Sequence, residues 1–202
     1  MVDDLTIKPA LLETQEMVDM IFDLDGTFVP EGYPFALWSA IAMFLPWLND
    51  EKNAGILPLR GSTSGKITLL SKRSKLILRV PVARAKLSAQ LSGKQLNIDG
   101  CILNIGKVKE RPLQPVTTLH AHMVESQLSE VAFLAEMVND LNRMNIPCNL
   151  ICDKHRKVSD INQSLTGFGL VLHDLKPLAS LQIQRTGLGG SRHFWMWNFC
   201  TL

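Results

Sequence analysis

Gly187, Gly189 and Gly190 fall within four residues and are followed by Arg192 and His193. Glycines at that density let backbone amides approach an anion closely, and the arginine and imidazole add positive charge beside the opening. The chemistry this favours is contact with a phosphate chain. Two further groups point the same way. Lys72-Arg73-Ser74-Lys75 places three cations in four residues, with Arg60 and Lys66 flanking the loop before it. Asp153-Lys154-His155-Arg156-Lys157 has no apolar member among five residues and reads as an exposed polar turn after a strand ending at Cys152.

Two catalytic motifs compete with that reading. Ile21-Phe22-Asp23-Leu24-Asp25-Gly26-Thr27 has the apolar run and Asp-x-Asp-Gly-Thr of haloacid-dehalogenase-type phosphatases, in which the first Asp attacks phosphorus and the second moves the proton. That chemistry also needs a later lysine and a distal acidic pair to hold magnesium, and Asp153 and Asp174 stand in unsuitable settings. The phosphatase is the remote alternative, and Asp23 to Gly26 reads as a strand end and its turn. Arg60-Gly61-Ser62-Thr63-Ser64-Gly65-Lys66 misses the P-loop count, with three residues between Gly61 and Gly65 where four are required and Ile67 at the Ser/Thr position. It reads as a flexible loop.

The overall charge of +2 hides a strong asymmetry. Residues 1–59 carry two Lys/Arg against ten acids, residues 60–111 carry twelve against two, and residues 112–202 balance seven against seven. A central block that basic is the electrostatic footprint of phosphate binding. The four cysteines, Cys101, Cys148, Cys152 and Cys200, form no Cys-x-x-Cys pair and no zinc spacing, so they read as reduced core residues. The acidic start and the short apolar run from Phe35 to Leu48, broken by Pro46, argue against a signal peptide or a membrane span, and a cytoplasmic location is expected.

The elements that must position these groups are legible from periodicity. Glu16 to Leu24 reads as a strand, Pro34 opens a helix whose apolar line runs from Phe35 to Leu45, and Asn53 to Arg60 reads as a second strand. Lys75 to Val80 alternates as a strand, Pro81 starts a short helix that Gly93 ends, and Leu96 to Leu103 forms a hairpin around Asp99-Gly100. The order then recurs. Thr117 to Val124 is a strand and Ser129 caps a helix with Phe133, Leu134, Met137, Val138, Leu141 and Met144 on one side. Strands at Ile146–Cys152 and Phe168–Leu172, a helix over Pro177–Arg185 and a last strand in the tail complete it. The expected class is α+β, with two tandem ferredoxin-like β-α-β-β-α-β units over residues 1–112 and 113–202, joined near Arg111 to Pro115. His120 and His122 alternate on one strand face and His173 ends another; these read as structural.

The tail carries one more signal. Trp195-Met196-Trp197-Asn198 must be written TGG ATG TGG AAY, which read one base later spells Gly-Cys-Gly and can continue as Ile-Phe-Val-Pro. The chain from about Trp195 is therefore read as out of frame relative to its ancestors. With the frame restored, Gly187 onward gives Gly-Leu-Gly-Gly-Ser-Arg-His-Phe-Gly-Cys-Gly-Ile-Phe. That stretch resembles the CRISPR-associated repeat-RNA endoribonucleases of the RAMP superfamily, which cut precursor transcripts into guide RNAs. The resemblance extends through Val29 to Ala40, Leu45 to Leu48, Arg73 to Leu76, Arg111 to Leu113 and Gly169 to Leu172.

The resemblance implies a metal-independent reaction with no cofactor, in which the ribose 2′-hydroxyl attacks the adjacent phosphate to leave a 2′,3′-cyclic phosphate. It also implies a partner hairpin of CRISPR repeat RNA and other subunits of a guide-RNA effector complex, in a prokaryotic cytoplasm. Tyr33 falls where relatives carry a histidine before the first helix, so Tyr33 and His155 are the catalytic candidates. The RNA-contact candidates are Arg60, Lys66, Lys72, Arg73, Lys75, Lys154, His155, Arg156, Lys157, Gly187, Gly189, Gly190, Arg192 and His193. A tyrosine of pKa near 10 is a poor base at neutral pH, which keeps open the alternative of a catalytically weak or inactive cap that holds the guide hairpin.

Overall fold

The structure is a computed structural model that describes residues 15–160 and 164–188. The expected last strand, and the candidates Gly189, Gly190, Arg192 and His193, lie outside the described residues.

The first unit is built on alternation. In β1 (Met17–Asp25), Val18, Met20, Phe22 and Leu24 point into the core, while Asp19, Ile21 and Asp23 occupy the other face. After a short β2 (Phe28–Pro30) comes α1 (Tyr33–Phe44), which has Pro34 in its first turn, where a missing N–H costs nothing. It buries Leu37, Trp38 and Ile41 against the sheet. β3 (Gly55–Ile56), the hairpin β4 (Ser62–Ser64) and β5 (Ile67–Leu69), and β6 (Lys75–Pro81) follow. A helical stretch from Val82 to Leu91 with α2 (Ala85–Ser88) at its centre leads into β7 (Gln95–Ile98) and β8 (Cys101–Pro112). The main sheet is antiparallel in the order β3-β6-β1-β8-β7, which is the ferredoxin-like order with β7 added as a hairpin arm. The β7–β8 turn has positive φ at both Asp99 (49°) and Gly100 (87°), the geometry that makes Asp-Gly a favoured hairpin turn.

The second unit repeats the plan with β9 (Leu119–Glu125), α3 (Glu130–Arg143), β10 (Asn149–Ser159), β11 (Ser164–His173) and α4 (Pro177–Thr186). Its described strands run β10-β11-β9, all antiparallel. Ser129 caps α3 by accepting from the Ala132 N–H, and Phe133, Met137 and Leu141 face Leu119, Ala121 and Met123. Apolar burial falls into two clusters, one from Val18 to Ile105 and one from Leu119 to Leu188. The molecule is α+β with tandem ferredoxin-like units.

Three local expectations are corrected. The strand expected over Asn53–Arg60 shrinks to Gly55–Ile56, because Pro58 has no N–H to continue the ladder. The expected flexible loop from Arg60 to Lys66 holds half of the β4–β5 hairpin, which pairs with β2 into a small sheet of its own. Asp153 to Lys157 is strand, not turn: β10 continues to Ser159, paired with β11. A register shift between Cys152 and His155 breaks its two-residue alternation and hides it from a pattern reading.

Candidate nucleic-acid interface

Each of the two main sheets packs helices on one face, and residues of the other face line the space between the units. On the first sheet the open face carries three cross-strand pairs in register, Asp19 with Arg79, Ile21 with Ile77 and Asp23 with Lys75. On the second it carries His120 and His122, which alternate with the buried Leu119, Ala121 and Met123. Between them lies a cleft of about 1020 Å³ whose lining includes residues from Asp19 to Gln184.

The floor of the first wall is a buried charge cluster. Asp19 accepts from Arg79 Nε at 2.7 Å and Nη2 at 3.1 Å, and from Arg111 Nη2 at 3.0 Å. Asp19 and Arg79 are almost wholly buried, whereas the Arg111 side chain is half exposed. Arg79 also donates to the Gln184 carbonyl at 3.3 Å, and the Gln184 amide donates to the Gln114 carbonyl at 2.9 Å. One arginine thus links the first sheet to α4 of the second unit.

Of the sequence candidates, Tyr33, Arg60, Arg73, Lys75, Arg156 and Lys157 line the cleft together. Arg60 and Arg73 are exposed, and Lys75 is held by Asp23 at 2.8 Å, which keeps the Asp23 carboxyl below its usual range. Lys66, Lys72 and Lys154 are exposed outside that lining. Gly187 ends α4 with φ 66°, a conformation suited to glycine. The Asp23–Asp25 motif sits in an antiparallel sheet with Asp23 paired to Lys75, which removes the phosphatase geometry. Among the described residues, no group of three His, Cys, Asp or Glu side chains is placed to hold a metal.

The two catalytic candidates part company. Tyr33 is buried at the start of α1, where its oxygen accepts from the Leu59 N–H at 3.1 Å. Burial pushes its pKa up to about 12, the direction that holds the proton. The structure therefore argues against Tyr33 as a base. His155 does not line the cleft. Its ring packs edge-on against Phe168 at 4.9 Å, and Phe168 in turn stacks on Phe133 of α3, so His155 belongs to the helix-covered face. Gly32, just before Tyr33, matters for a packing reason: a Cβ there would lie 2.6 Å from the Ser159 carbonyl oxygen, so only glycine lets the end of β10 close on the entrance to α1.

The structure adds residues that the sequence reading set aside. His120 and His122 are half-buried in the cleft wall. Burial lowers the pKa of His120, with Asp153 opposing and Arg156 reinforcing the shift. For His122, burial, Arg156 and His120 together bring it down to about 4. Arg156 is bound to Asp153, and its Nε is buried without a partner, an unmet donor of the kind found at functional sites. Two histidines spaced by one residue on a strand were the available signal; an alternating strand face alone does not tell whether it meets solvent, a helix or a cleft.

Comparison with known proteins converges on one family. A sequence model of the family described as Cas6 Crispr matches residues 18–196. The CRISPR-associated endonuclease Cas6 of Myxococcus xanthus (strain DK1622) is 31% identical over 178 residues, covering 87% of this chain and 77% of that protein. Among solved structures, a CRISPR associated protein Cas6 superposes with TM-score 0.60 at 12% identity, covering 93% of this chain and 99% of its own. An RAMP protein described as binding different RNA substrates superposes with TM-score 0.59 at 10% identity, covering 92% of this chain and 100% of its own. The structural likenesses establish the fold.

Proposed function

The chain belongs to the Cas6 family, and on that premise we propose that it binds the hairpin of a CRISPR repeat and cuts the precursor transcript into guide RNAs. The reaction is a metal-independent transesterification that leaves a 2′,3′-cyclic phosphate and a free 5′-hydroxyl. The protein then stays on the hairpin as a subunit of the effector complex. The observation that carries this reading is the cleft itself: Arg60, Arg73, Arg111, Arg156 and Lys157 converge from both units on one groove. Phosphate neutralisation along such a groove supplies affinity and salt dependence, and the fixed guanidinium groups offset charge that builds on a pentavalent phosphorus. Lys66, Lys72, Lys154 and the Gly187–His193 stretch extend the contact surface along the hairpin. The Myxococcus relative is named an endonuclease and the RAMP neighbour is described as binding RNA, which supports the same reading.

A second reading, a hairpin-binding cap with little cleavage, is favoured by one observation. The residue at the usual histidine position is a buried tyrosine that holds its proton. Incubating the protein with the repeat RNA of the CRISPR array in its own genome, in excess EDTA, separates the two. Cleavage to a cyclic phosphate is the expected result, and tight binding without cleavage establishes the cap. Replacing Lys72, Arg73 and Lys75 together with Ala should weaken hairpin binding and flatten its dependence on salt. Unchanged affinity and slope would remove this block from the RNA interface.

A further inference from the structure

We propose that the proton transfers of cleavage are carried by His120 and His122 on the cleft face of β9, and not by a residue at the entrance to α1. The inference deepens the proposed RNA cleavage and rests on it. The geometry begins with register: residues two apart on a strand share a face, and here that face lines the cleft, with the flanking Leu119, Ala121 and Met123 fully buried behind it. Both imidazoles therefore stand in the same wall as Arg156 and Lys157. A phosphodiester drawn to those cations lies against the two rings.

The charges around the pair set its protonation. On its own sheet it faces Arg156 and Lys157, with Asp153 the opposing carboxylate. Across the cleft stand Arg60, Arg73 and Lys75, while Arg79 and Arg111 are engaged with Asp19, and Glu31 is the remaining acid. In the free protein burial first, with Arg156 adding to it and Asp153 opposing, lowers both pKa values and favours the neutral rings. An anionic phosphodiester in the cleft opposes burial and the Arg156 charge and favours the protonated rings, and two rings that interact take up a single shared proton before a second.

That singly protonated pair is the form that reaction requires. The neutral imidazole accepts the proton of the ribose 2′-hydroxyl as O2′ bonds to phosphorus. The P–O5′ bond breaks with its electron pair going to O5′, and the protonated imidazole supplies the proton that O5′ takes up. The products are the 2′,3′-cyclic phosphate and the 5′-hydroxyl. The pair ends with its proton on the other ring, and exchange with water restores the starting form.

The test compares wild-type protein with His120→Gln, His122→Gln and the double variant on repeat RNA in EDTA. Hairpin affinity, single-turnover cleavage and thermal melting are read for each. Each single substitution should slow cleavage by about 10²–10⁴-fold with affinity changed by less than about threefold, and each should remove one limb of a bell-shaped pH–rate profile. Exogenous imidazole should restore part of the rate to His120→Gln. His155→Gln and His173→Gln, outside the cleft, should cleave normally. A folded double variant that cleaves within about threefold of wild type overturns the inference while leaving the cleavage reading intact, as does loss of cleavage in His155→Gln alone. A wild-type protein that binds the hairpin and does not cut it also overturns the inference. One that neither binds nor cuts overturns the proposed function itself.

Discussion

Asp19 in the first unit and Asp153 in the second each hold an arginine that lines the cleft, Arg79 and Arg156. Their surroundings differ. Asp19 and Arg79 are sealed from water, with Arg111 and the Gln184 carbonyl completing the cluster. Asp153 and Arg156 keep about a third of their side chains in solvent. Buried charge must be fully paired or it is very costly, whereas a half-exposed pair contributes little. The first wall is thus a structural anchor that ties one unit to the other. The second keeps its arginine and two imidazoles within reach of a ligand.

The sharpest way to break that comparison is to remove each carboxylate. Asp19→Ala should destabilise the fold by about 3–5 kcal/mol, because it strands the Arg79 guanidinium in the interior. Asp153→Ala should cost about 0–1 kcal/mol. Urea unfolding of both variants checks this, and equal losses would show that the two clusters play the same part.

A smaller effect is expected from pH. His122 has a folded pKa depressed to about 4 against an unfolded value near 6.5, so folding favours its neutral form. The stability this gives is fully present above the unfolded value and is lost as pH falls from about 6.5 through about 4. It amounts to roughly 2 kcal/mol after allowance for the part of the ring in water. Urea unfolding at pH 7 and pH 4.5 should show His122→Gln losing less stability on acidification than the wild type does. An identical loss in both would place the acid sensitivity elsewhere.

Tyr33→Phe removes the acceptor of the Leu59 N–H and should cost about 1 kcal/mol. Wild-type stability should also fall as pH rises from about 10 through about 12, since the raised pKa favours the protonated phenol in the folded state. Melting at pH 9 and pH 11 would show that loss reduced in the variant. Last, restoring the Gly-Cys-Gly-Ile-Phe-Val-Pro frame from Trp195 should raise Tm by a few degrees, and hairpin affinity should change little. A restored protein no more stable than this one would mean that the frame change has no structural consequence.

The amino-acid sequence by itself determined the β-α-β-β-α order described in both units, the cap at Ser129, the Asp99-Gly100 turn and the basic block over residues 60–111. Each of these is local, set by side-chain period, turn chemistry or charge count within a few residues. The tertiary structure decided which of the legible residues meet. Tyr33 occupies the position that family resemblance marks for a base, yet the depth at which α1 packs leaves it buried and protonated. His155 lies next to Arg156 in the chain but faces α3, because the register shift in β10 sets the faces of both residues and nothing in their types reveals it. His120 and His122 alternate legibly, but alternation cannot say what their face meets. That depends on how the two sheets line one cleft, an arrangement tied by contacts such as Arg79 with the Gln184 carbonyl of α4, 105 residues away, and burial, field and proton affinity all follow from it.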